Sequence, residues 1–70
     1  MLTKDQIAEN IALVIKGSGK THNEIAEAIG VGRTSISEYI AGRVTPSVFI
    51  IMKLCQVLDC TYEDILGRLD

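Results

Sequence analysis

Apolar residues recur along this chain at helical spacing, and no stretch reads as a strand. Ile7, Ile11, Val14 and Ile15 make a first apolar face. Thr3 precedes it, with Gln6 three residues on. In that pairing each side chain satisfies the other residue's backbone N–H at a helix start, and Asp5 favours the same end. The pattern predicts a helix to about Lys16, closed by Gly17-Ser18-Gly19, with Leu13 off the apolar face and exposed. Thr21 and Glu24 repeat the start signal and predict a short second helix from His22 to Ile29, with Ile25, Ala26 and Ile29 inward and Gly30 as its stop. A third helix is predicted from Gly32 or Arg33 to Gly42, its inner side Ile36, Tyr39 and Ile40 at i, i+3 and i+4.

The loop Arg43-Val44-Thr45-Pro46 leads to a fourth helix over about Ser47 to Leu58, with Pro46 tolerated at its start. Val48, Ile51, Met52, Cys55 and Leu58 are predicted to face inward. After a break at Asp59-Cys60, Thr61 caps a fifth short helix with Asp64 at the third helical position, ending at Gly67. Ile65 and Leu66 would cover the core's edge. Leu13, Phe49, Ile50 and Leu69 are left over as surface apolar residues, which as a group points to a subunit interface.

Seventy residues make a single domain, residues 1–70, and 47% hydrophobic with 23% charged residues places it among globular chains. Trp is absent and only Tyr39, Phe49 and Tyr62 are aromatic, so the core must be aliphatic. The net charge of −2 argues against a general binder of polyanions or of anionic membranes. Between Lys20 and Pro46 the cations Lys20, Arg33 and Arg43 balance Glu24, Glu27 and Glu38. The first residues are no signal peptide and no apolar run is long enough to span a membrane, so a cytoplasmic protein is expected. Cys55 and Cys60 are the only cysteines. Two helical residues at that spacing point about 140° apart, which predicts reduced core thiols and no internal disulfide. No His or third Cys stands near them to complete a zinc site. His22 is the one histidine, and no nucleophile–base–orienter set can be assembled around it, so no enzyme, cofactor or small-molecule ligand is expected.

The chemistry-bearing stretch is Gly30 to Arg43. Two helices crossing steeply need a small residue where they meet, and Ala26 supplies it; the turn needs a residue that accepts positive φ, and Gly30 does. Ile36 plugs the angle between them. The combined pattern resembles the Cro/CI-type (XRE-type) helix-turn-helix DNA-binding domain of bacterial and phage regulators. The resemblance rests on GKTHNEIA (residues 19–26), IGVGRTSIS (29–37), Gly42-Arg43, Pro46-Ser47, KLCQVL (53–58) and DILG (64–67), and covers about four fifths of the chain. It implies an all-α, five-helix, lambda-repressor-like fold whose third helix lies in the DNA major groove, with its N-terminal end toward the base edges.

On that resemblance Arg33, Thr34, Ser35, Ser37 and Glu38 are the candidate base contacts. Arg donates two hydrogen bonds to guanine, Glu accepts from cytosine and the Thr methyl meets a thymine methyl. Lys20, Thr21, His22, Arg43 and Thr45 are the candidate phosphate contacts, with the backbone N–H groups of Thr21 and His22 aided by the helix N-terminus. The family usually has Gln where this chain has His22, which can still donate to a phosphate and makes such a contact pH-sensitive. It often has an Arg–Glu pair where this chain has Ile15 and Ile40, a swap of one contact for another that predicts these two side chains touch. The function implied is a sequence-specific double-stranded-DNA reader, a Cro-like repressor acting as a homodimer on a palindrome. A protein-interaction module or antitoxin-like partner on the same fold, with weak DNA binding, is the alternative.

Overall fold

The computed structural model describes residues 3–67, so Leu69, one of the expected surface residues, lies outside the described residues. Five α-helices follow in order: α1 (Lys4–Ser18), α2 (His22–Ile29), α3 (Arg33–Ala41), α4 (Val48–Leu58) and α5 (Tyr62–Leu66), with no strand among the described residues. The start signals read from the sequence form as reciprocal caps. Thr3 and Gln6 exchange bonds of 2.9 and 3.2 Å, Thr21 and Glu24 of 3.0 and 3.1 Å, and Thr61 and Asp64 of 2.9 and 3.2 Å. The Ser47 hydroxyl accepts from the Ile50 N–H at 3.3 Å at the start of α4. Gly32, with no side chain, leaves α3 without such a bond. α1 runs past the expected stop at Lys16, because Gly17 stays helical and the Ser18 hydroxyl donates to the Ile15 carbonyl at 2.6 Å.

Three helices end in the same way. Gly30, Gly42 and Asp59 take left-handed φ of 77°, 76° and 52° just past α2, α3 and α4. The next N–H then returns to a carbonyl five residues back: Val31 to Ala26 at 2.9 Å, Arg43 to Glu38 at 3.1 Å, and Cys60 to Cys55 at 3.0 Å. This closure lays the residue after the turn over the helix's last turn. It overturns the helical-wheel argument about the cysteines. Cys60 lies beyond α4, and the left-handed Asp59 folds it back onto Cys55 instead of continuing the spiral. Both thiols are free and half-buried, not core residues.

The core is aliphatic apart from Tyr39: Ile11, Ile15, Ile25, Ala26, Ile29, Ile36, Ile51, Leu54, Leu58 and Ile65, with no buried polar or charged residue among the described residues. α1 packs on α3 and α5, α2 on α3 and α4, and α4 on α5. Ile15 in α1 is buried and Ile40 in α3 is half-buried against that one core. Asn10 Nδ2 donates to the Ile65 carbonyl at 2.9 Å and ties α1 to α5. α4 is where the expected inner face was wrong. Val48 and Met52 are exposed and Cys55 half-buried, whereas Leu54, absent from the expected set, is fully buried. The run Val48 to Met52 is apolar at every position, so its periodicity carries no phase; the inward stripe is Ile51, Leu54 and Leu58. Ile50 is half-buried, not exposed, while Leu13 and Phe49 are exposed as expected.

Gly30 and Gly42 share a backbone conformation but not their surroundings. A Cβ on Gly30 meets nothing, whereas on Gly42 it sits 3.2 Å from Asp5 Oδ1 and 3.5 Å from the Ala8 Cβ on α1. Gly30→Ala is expected to cost about 1–2 kcal/mol from left-handed strain alone, and Gly42→Ala more. Denaturant unfolding checks this, and equal losses would contradict the close approach of α1 to the end of α3.

Candidate nucleic-acid interface

The third helix is amphipathic across its width. Ile36 is fully buried, Tyr39 nearly so, and Ile40 packs beside them. Thr34, Ser37, Glu38 and Ala41 fall at i, i+3, i+4 and i+7, which makes them one stripe on the far side. Of the residues expected to meet bases, Arg33, Thr34 and Ser37 are exposed, and Glu38 and Ser35 are half-buried. Ser35 lies at the edge of the helix's packed side, one turn before Tyr39. Ala41 is an exposed member of the stripe that sequence reasoning missed. Its methyl carries no chemical signal; only its position does.

The start of α2 rearranges one expectation. The Thr21 N–H, expected to face a phosphate, donates instead to Glu24 Oε1, and the Glu24 N–H is taken by the Thr21 hydroxyl oxygen. The first N–H groups of a helix have no acceptor inside it. With the cap in place, those left over belong to His22 and Asn23, both exposed residues. Asn23 therefore joins the candidate donors. The Thr21 hydroxyl, an acceptor in the cap, keeps its own proton to donate. Lys20, exposed beside the cap, adds a cation. The Thr21 N–H that donates to it, with the Thr21 side chain beside it, holds the Glu24 carboxyl below its ordinary range; burial opposes this, and Lys20 adds a smaller pull downward.

At the other end of α3 the closing turn brings two candidates together. Arg43 follows the left-handed Gly42, and its Nη1 stands 3.8 Å from Glu38 Oε1. The Arg43 side chain is 74% exposed and that of Glu38 30%, so the pair is a surface ion pair worth at most about 1 kcal/mol. It orients the arginine without removing it from solvent. The Glu38 carbonyl also accepts the N–H groups of Arg43 and Val44, at 3.1 and 3.4 Å, which fixes the loop leading to the exposed Thr45. Such a surface can offer donors to phosphate oxygens from backbone and side chains and a mixed set of groups to base edges. Among the described residues no three of His, Cys, Asp or Glu are grouped to hold a metal ion, and no helix is long and apolar enough to cross a membrane.

The family model for helix-turn-helix domains matches residues 11–65. The chain is 34% identical over 62 residues to the antitoxin PezA of Streptococcus pneumoniae, and 29% identical over 63 residues to the cryptic phage CTXphi transcriptional repressor RstR of Vibrio cholerae. These alignments take in 89% and 90% of this chain but only 39% and 56% of the two relatives, so the chain spans about half or less of their length. Among solved structures, the restriction-modification controller protein C.AhdI of Aeromonas hydrophila superposes with a TM-score of 0.81 at 18% identity, over 89% of this chain and 94% of that one. The SOS-response transcriptional repressor LexA of Eubacterium rectale gives 0.82 at 25% identity, over 96% and 76%.

The α2 cap generates a pH dependence. Because folding lowers the Glu24 pKa, its stabilising contribution is present above the unfolded carboxyl range and is lost as pH falls through the folded value. Glutamine serves in the same cap but does not ionise. Glu24→Gln is therefore expected to flatten the fall in stability below about pH 4.5, read from unfolding midpoints across a pH series; parallel curves for the two proteins would contradict it.

Proposed function

The chain belongs to the XRE-type helix-turn-helix family of DNA-binding transcriptional regulators, and on that premise we propose that it is a sequence-specific repressor that reads a palindromic operator as a homodimer in the cytoplasm. The observation that carries this is the outer face of α3, which holds Arg33, Thr34 and Ser37 toward solvent with Glu38 half-buried beside them, while Ile36 and Tyr39 anchor the helix from behind. With α3 in the major groove, Arg33 donates to guanine O6 and N7, the Thr34 methyl packs on a thymine methyl, and Glu38 accepts from a cytosine amino group. Ser37, and Ser35 at the edge, reach a base or a phosphate. The N–H groups of His22 and Asn23, the Thr21 hydroxyl, Lys20, Arg43 and Thr45 meet phosphates and set the register. Repression follows from occupying a promoter.

A palindrome calls for two copies, with half-sites about one helical turn, ~34–36 Å, apart. The exposed apolar side chains of α4, Val48, Phe49 and Met52, are the surface we assign to the second copy. Lys53 is the single charge on that helix. The antitoxin relative supports a second reading, in which the same fold binds DNA weakly and docks a partner protein. Salt separates the two: a reader making about four phosphate contacts per monomer loses affinity steeply as salt rises, whereas failure to bind any duplex at low salt would leave the docking reading.

Two substitutions test the roles on a duplex selected from a random library. Arg33→Ala is expected to cost about 1–3 kcal/mol and to relax preference at one base position, and Arg43→Ala to weaken all sequences alike while lowering the salt slope by about 1. Binding titrations at several salt concentrations read both. Equal loss on every sequence for Arg33→Ala would contradict base readout.

A further inference from the structure

We propose that Cys55 and Cys60 form a reversible oxidation site, a dithiol that closes to an intramolecular disulfide across the α4–α5 joint. The placement comes from the turn at Asp59. The N–H groups of Asp59 and Cys60 both reach the Cys55 carbonyl, the second at 3.0 Å, so the backbone of Cys60 is held against that of Cys55. The same closure at the end of α3 sets Arg43 over Glu38, with Nη1 3.8 Å from Oε1. At α2 it pairs Val31, packed on the core, with the buried Ala26. At α4 the paired residues are the two cysteines. Both are free and half-buried, reachable by a small reagent yet fixed in position by the core they border.

The surroundings divide the roles. Burial, then the neighbouring Cys55 thiol, then Asp64 and Asp59 push the Cys60 thiol up to about 11. Cys60 therefore stays protonated at neutral pH, and the first attack falls to Cys55. With a low-molecular-weight disulfide as oxidant, the Cys55 thiolate attacks one sulfur, forms a mixed disulfide and expels the first small thiolate, which takes up the proton Cys55 released. Cys60 then loses its proton and attacks the Cys55 sulfur, expelling the second small thiolate, which takes that proton. The protein's two thiols lose two electrons and two protons, and the small disulfide becomes two thiols. The new bond fixes the turn into α5, whose Ile65 is fully buried and whose Ile65 carbonyl is held by Asn10 of α1, so the oxidised chain is expected to melt at a higher temperature than the reduced one.

The test equilibrates the chain with buffers of graded glutathione and glutathione disulfide, quenches with acid and measures intact mass and free thiols. The expected oxidised product is a monomer two hydrogens lighter, with no free thiol and no glutathione, restored by excess thiol. Closing of the mixed disulfide is expected to speed up as pH rises, because Cys60 must ionise, and Cys60→Ser is expected to stop at one glutathione adduct. Glutathione retained on either cysteine of the unsubstituted chain, or disulfide-linked dimers as the main product, would overturn the proposal. The unsubstituted chain decides by itself, so a variant that failed to fold would not shelter it, and DNA binding plays no part in the readout.

Discussion

The geometry of this protein depends on how its helices stop. At the ends of α2, α3 and α4 one residue turns left-handed and the N–H after it returns to a carbonyl five residues back. A chain of 70 residues has little core with which to hold helices at fixed angles, and each of these closures fixes a direction change within two residues. At Gly30 it aims α3 away from α2, so that Ile36 enters the core while Thr34 and Ser37 stay outside. At Gly42, where α1 approaches closely, it leaves Arg43 beside Glu38 at the rim of the exposed face. At Asp59 it leads into α5 and brings the backbone of Cys60 against that of Cys55. Two of these stops are glycine. The third is aspartate, one of the few other residues that tolerate the conformation.

Much of this was legible in the chain. Thr3, Thr21 and Thr61 announced three helix starts because a cap is a local interaction, complete within four residues. The inner side of α3 was legible because Ile36, Tyr39 and Ile40 stand among polar residues. α4 was illegible for the opposite reason: Val48 to Met52 is apolar at every position, and only packing decides that Ile51 and Leu54 turn inward. Contacts between elements left no sequence trace, as with Asn10 on the Ile65 carbonyl and Lys53 on the Ile29 carbonyl at 3.5 Å. The placement of Cys60 was misjudged by extending regular helix geometry past the end of α4, and the Thr21 N–H was assigned to a phosphate although its own cap already claims it.

The face of α3 and its neighbours is no basic strip. Glu24 holds the start of α2, and Glu38 pairs with Arg43. With few free cations, phosphate contacts would draw heavily on N–H groups and hydroxyls, which position a protein on DNA without attracting it from a distance. Such a surface favours selectivity over general affinity. Both curated relatives extend beyond the matched region, which is 39% of one and 56% of the other.

The most direct test is a map of which backbone N–H groups respond to DNA. In NMR titration of the labelled protein with its library-selected duplex, the account predicts the largest shifts at His22, Asn23, the first turn of α3 and the loop from Arg43 to Thr45. Any shifts on α4 should follow pairing of two copies and recur without DNA at high protein concentration. DNA-dependent shifts concentrated on α4 and α5, with α3 unmoved, would contradict it.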